Sequence, residues 1–228
     1  MGNISVFLAN WQVLFREGIH FTLSGEEDIE VIGETTGNEE ALAFIEANPP
    51  SVAILDINCG KVSGVEVARR IQQNLPSVGV ILIMDSDNEE QLFSVMKSGA
   101  RACLTKGSDP VDLVNIVREV AQGRYPISES LLRPGIASRV LGEFEAFSLL
   151  SEQVGNLLTR LSPGEADILG RIAEGGSSEL VAQALSISEE ALRHRLDFIR
   201  AKLVANEHDR VVIEAVLKKI RYSGRAKD

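Results

Sequence analysis

The sequence is poor in the residues that mark secreted, metal-bound and membrane-inserted proteins. Only two cysteines, Cys59 and Cys103, occur in 228 residues. That is too few for a disulfide framework and, by themselves, for a zinc site. No apolar run approaches the ~18–20 residues of a membrane-spanning helix. The segment Met1–Asn10 has neither a basic stretch nor a cleavage site, so no signal peptide, no membrane contact and a cytoplasmic location are expected. His20, His194 and His208 lie far apart, and no phosphate-cradling glycine loop follows the first strand. The chain is therefore not expected to be an enzyme or to carry a cofactor.

Acidic residues outnumber basic ones, 33 to 23, giving a formal net charge of −10. The excess is confined to one part: residues 1–149 hold 11 basic and 21 acidic side chains, and the remainder holds 12 of each. With domains typically ~100–150 residues long, this asymmetry fits two modules with different partners. An acidic excess that merely keeps the first module soluble explains the same numbers. DNA would repel the chain as a whole unless its positive charge is locally focused.

In the first module short β-rich runs alternate with helical patterns. Strands are expected at Ile4–Ala9, Ile29–Gly33, Ser51–Asp56, Val78–Ile83 and Ala102–Thr105. Helices are expected at Gln12–Leu23, Asn38–Ala47, Ser63–Asn74, Glu89–Ser98 and Pro110–Ala121. Continuously apolar strands in five β-α units imply an α/β fold with a parallel sheet covered on both faces. Ligands of such sheets gather at the carboxyl ends of the strands. Those ends carry Asn10 and Trp11, Asp56, Met84 and Asp85, and Lys106.

An aspartate ending one apolar strand and a lysine ending another resemble the receiver domain of bacterial response regulators. The local matches are Leu8-Ala9 followed by Leu14-Phe-Arg-Glu-Gly18, Ala53-Ile-Leu-Asp-Ile57 with Gly64-Val-Glu66, and Lys97-Ser-Gly-Ala-Arg101 leading to Leu104-Thr-Lys106. The pattern is similar to the NarL/FixJ class and covers residues 3–123. It implies a flavodoxin/CheY-like sheet of order 2-1-3-4-5, with Asp56 at the position that accepts a phosphoryl group from a histidine kinase.

The departures from that pattern fall on the chemistry. The family's Mg²⁺ site needs an acidic pair at the end of the first strand, because this hard cation prefers carboxylate oxygens. Asn10 and Trp11 bring no charge, and Trp11 brings bulk, so no bound Mg²⁺ is expected. Met84 stands where the family has a Ser or Thr hydroxyl for the phosphoryl oxygen. Asp85 replaces a small residue and would repel a phosphate dianion. Asp56 is read either as a weakly phosphorylated acceptor with Lys106 as its cation, or as a remnant paired to Lys106 in an atypical receiver; the second reading is adopted. Trp11 and Met84 are then expected to fill the pocket, and a cognate kinase stays open as a partner. A thiol switch between Cys59 and Cys103 is a minor alternative to ordinary core and loop cysteines.

Residues 125–158 read as a helical linker. Val140, Phe144, Phe147, Val154, Leu158 and Leu161 follow steps of 4, 3, 7, 4 and 3, close to a heptad seam. Such a seam serves either a dimerising helix or one packed along its own receiver; dimerisation is the reading adopted. From 159 to 228 four short helices are expected. The first starts at Ser162-Pro163 with Glu165 in a capping box, the second at Ser177, the third from Ser188 to about Leu203, and the fourth from Asp209. The second and third form a helix-turn-helix. Leu161-Ser-Pro163, Glu165, Ile168-Leu169, Ala173-Glu-Gly175, Val181-Ala182, Leu185, Ile187-Ser-Glu189 and Ala201-Lys-Leu203 resemble the LuxR/FixJ-type DNA-binding domain.

That resemblance places the helix beginning at Ser188 in the major groove, with Arg193 and His194 at base-reading positions and Arg195 and Lys202 on the same face. It also makes Val212, Ala215 and Val216 of the fourth helix candidate dimer contacts. The combined reading is a receiver over 1–124, a linker, and a DNA-binding domain. The whole would be a homodimeric, sequence-specific regulator of double-stranded promoter DNA working without phosphorylation. A conventional phosphorylated switch and an interaction protein that has lost DNA binding remain the alternatives.

Overall fold

The computed structural model describes residues 3–153 and 158–224. Two compact units divide between Ser128 and Glu129. In the first, strands β1 (Ile4–Ala9), β2 (Ile29–Thr35), β3 (Val52–Asp56), β4 (Gly79–Met84) and β5 (Ala102–Thr105) alternate with helices. These are α1 (Val13–Ser24), α2 (Asn38–Ala47), α3 (Gly64–Asn74), α4 (Glu89–Lys97) and α5 (Pro110–Ala121). All strand pairs are parallel and the order is β2-β1-β3-β4-β5. Leu8, Ile54, Ile81 and Ala102 sit side by side across four strands and are buried. Every residue of β3 and β4 is buried, as continuous apolar strands require when helices cover both faces.

Helices α3, α4 and α5 begin where a side chain satisfies free N–H groups. Ser63 accepts from Val65, Asn88 from Glu90 and Gln91, and Asp109 from Val111 ahead of Pro110. Strands β1, β3 and β5 and helices α2 and α5 end near where the hydrophobic pattern places them. Strand β2 runs two residues further and β4 is shifted by one.

The second unit contains α6 (Pro134–Gln153), α7 (Pro163–Ala173), α8 (Ser178–Ala184) and α9 (Glu189–Gly224); a 3₁₀ turn, Pro126–Leu132, spans the division. Helix α6 packs against α7 and α9. Val140, Phe144 and Phe147, expected as a dimer seam, are buried in their own chain, with the two phenylalanines edge to face at 5.8 Å. The heptad-like spacing here matches a helix face covered within the monomer, which periodicity alone does not distinguish from a coiled-coil seam. Ser151, at the seam's vacant position, is buried and accepts from the Leu158 amide. Val154 lies outside the described residues.

A single helix, α9, replaces the expected third and fourth helices. Residues 204–209 contain neither Gly nor Pro, so nothing in the backbone interrupts it. Asp209, where the fourth helix is expected to start, lies mid-helix. Buried Asn206 holds Thr159 from both sides: its Nδ2 donates to the Thr159 carbonyl at 2.7 Å, and its Oδ1 accepts the Thr159 N–H at 2.8 Å. Among the described residues no helix is long and apolar enough to cross a membrane.

Truncating Asn206 removes both hydrogen bonds to Thr159. Asn206→Ala should lower stability by about 1–3 kcal/mol in urea unfolding; an unchanged midpoint would show that this clasp contributes nothing.

Candidate functional site

Asp56 ends β3 with its side chain 1% exposed. A buried carboxylate needs its oxygens satisfied from within the protein. Here Oδ2 accepts from the Asn10 amide nitrogen at 2.8 Å and Oδ1 from the Asn58 backbone N–H at 2.7 Å. The Lys106 ammonium lies 3.3 Å from Oδ2. The orientation of the fully buried Asn10 amide is fixed by the Gln12 N–H, which donates to its Oδ1 at 2.8 Å. Asn38 donates to the backbone carbonyls of Asp56 and Val62, drawing the loop after β3 inward. A Cβ at Gly64 would lie 2.6 Å from the Asp56 carbonyl oxygen, so that loop closes this tightly only with glycine there.

Lys106 is shared. Its ammonium hydrogen-bonds closely to Oδ1 of Asp85, whose Oδ2 accepts from the Asn58 side chain at 3.1 Å. Burial opposes the charge on Lys106, but the Asp85 hydrogen bond and the Asp56 charge outweigh it and hold its pKa above the ordinary value. The hydrogen bond from Lys106, aided by that from Asn58, holds the Asp85 carboxyl below the usual range. Loops after β3, β4 and β5 are thus tied together by one lysine and one asparagine. Asp85, expected only to repel phosphate, is the second anchor of this network.

Met84 is buried and offers no hydroxyl at the end of β4. Trp11 does not fill the pocket: it is 53% exposed, with the Lys106 ammonium 5.9 Å from its ring centre. The chain turns at Asn10, which takes the inward position and leaves Trp11 at the mouth. The residues do not fit a Mg²⁺ ion, because Asn10 presents an N–H donor to Asp56 where the cation would need an oxygen.

Asn58 escaped the sequence reading; its position two residues beyond Asp56, suited to an Asx-type turn, was the available signal. So did Arg16, which donates to the Asn10 carbonyl and to Glu34, the latter also paired with His20. Cys59 is buried and donates to the Thr36 carbonyl at 3.0 Å. Burial, reinforced by the charge of Asp56, pushes its thiol up to about 11, which disfavours the thiolate a redox switch needs. Cys103, on β5, is partly buried and in no disulfide.

In the second unit, Ser162 and Glu165 form a capping box at the start of α7. Leu192, Leu196, Ile199 and Leu203 of α9 are buried, with Val181 and Ala182 of α8 among the same core residues. The tight turn between α8 and α9 passes through Ser186 at φ 54°. Ser188 caps α9 by accepting from the Ala191 N–H. Arg193, His194 and Arg195 are exposed beyond it, Arg193 lying 3.8 Å from exposed Glu129.

Lys202 is not on that surface. It pairs with buried Glu165 at 2.7 Å and donates to the Arg160 carbonyl. Burial pushes the Glu165 carboxyl up, but the Lys202 and Ser162 hydrogen bonds bring it below the ordinary value. The lysine completes the capping box and is occupied within the unit. Val212 is half exposed and Ala215 exposed, while the Val216 side chain lies outside those described.

Comparison with known proteins agrees with the receiver fold of the first unit. Residues 6–118 match the model of the response regulator receiver domain. The transcriptional regulatory protein DegU of Brevibacillus brevis is 28% identical over 227 residues, covering 93% of each chain. The nitrate/nitrite response regulator NarL of Escherichia coli K12 is 27% identical, covering 87% of this chain and 88% of its own. The receiver domain of NarL from Mycobacterium tuberculosis is 30% identical with a TM-score of 0.53, covering 54% of this chain and all of that one. The RcsB response regulator of Salmonella typhimurium shares the fold along 93% of this chain and all of its own, at 22% identity and a TM-score of 0.51.

The depressed Asp85 carboxyl has a defined consequence with pH. Its pairing with Lys106 stabilises the fold above the ordinary carboxylate pKa of about 3.9, and that contribution is lost as pH falls through its lower folded value. Urea midpoints measured from pH 6 down to pH 2 should therefore fall less steeply for Asp85→Asn than for the parent. Parallel curves would dissolve the network's role.

Proposed function

The chain belongs to the NarL-type response regulators, which are transcriptional regulators rather than enzymes, and from that premise we propose that this one sets its activity without a phosphoryl group on Asp56. One observation carries the reading: both carboxylate oxygens of Asp56 are engaged, Oδ2 by the Asn10 amide and Oδ1 by the Asn58 N–H, and Lys106 is already held by Asp85. An incoming phosphoryl group would find no metal-binding carboxylate at Asn10, no hydroxyl at Met84, and a competing anion at Asp85. The receiver then rests in one state unless another input moves it.

The output of this reading is duplex promoter DNA. Arg193 and His194 would read base edges and Arg195 would hold phosphate, with Ser188 fixing the start of the helix. Binding would occur as a homodimer on a two-fold-related site, using the exposed Val212 region of α9 rather than the buried Val140, Phe144 and Phe147. The inward turn of Lys202, together with exposed Glu190 and partly buried Asp197, limits affinity. That feature also favours a second reading, an interaction module that has given up DNA.

Promoter DNA binding by the full chain should weaken steeply with salt, and Arg193→Ala should cost about 1–3 kcal/mol on the preferred site. Affinity should be the same with and without Mg²⁺ and a small phosphodonor. Salt-insensitive or absent binding would favour the interaction module, and a phosphodonor-dependent gain would restore the conventional switch.

A further inference from the structure

Helix α9 holds to its unit through Leu192, Leu196, Ile199 and Leu203, a buried stripe at helical spacing. Phe198 lies outside that stripe. Its neighbour Ile199 is fully buried, whereas Phe198 is 66% exposed. Residues three and four apart share one face of a helix. Those placed so before Phe198 are Arg195 and His194, both exposed. Ala201, three residues after it, is also exposed and too small to cover the ring. Lys202, four residues on, is turned away to Glu165 and the Arg160 carbonyl. Beyond Arg195 and His194, this face of α9 therefore presents an uncovered aromatic ring in place of a cation.

Packing does not account for the ring, since most of it stands in water. Its neighbours on the face are two polar side chains and an alanine, so it is not the centre of a contiguous apolar patch of the kind a protein partner covers. Arg195 and His194 beside it suit a polyanion. A phenyl ring makes no conventional hydrogen bond, so it neither holds a phosphate nor reads the polar atoms of a base edge. The four bases present one apolar group in the major groove, the C5 methyl of thymine.

We infer that Phe198 is a specificity determinant that reads a thymine through its methyl group. The inference rests on the promoter-DNA reading above and adds the base selected by the third turn of α9. Phe198 lies four residues past His194, a rise of about 6 Å. At about 3.4 Å per base pair, the thymine lies about two base pairs from the base that His194 reads. Covering one methyl group strengthens binding about fourfold.

The test uses duplexes selected by the full chain from a random library, with affinities measured by fluorescence anisotropy. Each thymine of a selected duplex is replaced in turn by uracil, which removes the methyl and keeps every hydrogen-bonding group. His194→Ala locates the base that His194 reads. Uracil about two base pairs from it, in one half-site, should weaken parent binding about fourfold. Phe198→Ala loses the contact in both halves of a two-fold site, so it should bind the thymine duplex about tenfold more weakly or worse. It should no longer distinguish thymine from uracil, and its melting temperature should match the parent's. Phe198→Leu should keep the discrimination, and Arg195→Ala should weaken both duplexes while keeping their ratio. A parent indifferent to every uracil, or discrimination that survives in Phe198→Ala, would overturn the inference and leave the promoter-DNA reading standing. Failure to select any duplex would overturn that reading and the inference together, and would return Phe198 to the interaction module.

Discussion

A carboxylate placed at the end of a wholly buried strand must be neutralised or hydrogen-bonded by the protein around it. In this chain that requirement organises one whole edge of the first unit. Asn10 brings the end of β1 to Asp56, Asn58 folds the following loop back onto it, and Lys106 reaches across from β5. Asp85 then draws Lys106 and Asn58 together from the end of β4. The consequence is chemical as well as structural: groups that would serve an incoming phosphoryl group are occupied with one another.

The same residues show how far sequence reading reaches. The strands could be located because their apolar runs are unbroken, and parallel topology alone brings Asp56, Asp85 and Lys106 to one edge. What pattern could not supply was direction. Asn10 and Trp11 are adjacent, and nothing in their spacing says that the amide turns inward while the indole faces water. Asp85 was legible as a charge but not as the partner that captures Lys106. The family resemblance implies a DNA-facing Lys202, yet three-dimensional proximity to Glu165 withdraws it. In α6 the apolar spacing of Val140, Phe144 and Phe147 marks a buried stripe, and in the structure that stripe is covered within the chain, which spacing alone does not distinguish from a seam between chains. The continuous α9 follows from an absence of breakers around Asp209, where the sequence reading starts a separate helix.

The two units divide the charge and the chemistry between them. The acidic first unit carries the edge at which Lys106 joins Asp56 and Asp85. The second carries the exposed arginines of α9 on a neutral background. On the proposed reading the regulator takes an input that does not pass through Asp56, while Lys106 stays shared between Asp56 and Asp85.

The most direct measurement is the intact mass of the full chain after incubation with Mg²⁺ and acetyl phosphate, with Asp56→Asn alongside. The account predicts no gain in mass in either protein. A gain of about 80 Da in the parent that is missing from Asp56→Asn, one phosphoryl group, would contradict it, because it would show that the Asn10 amide and the Asp85–Lys106 pair leave the Asp56 carboxylate free to react.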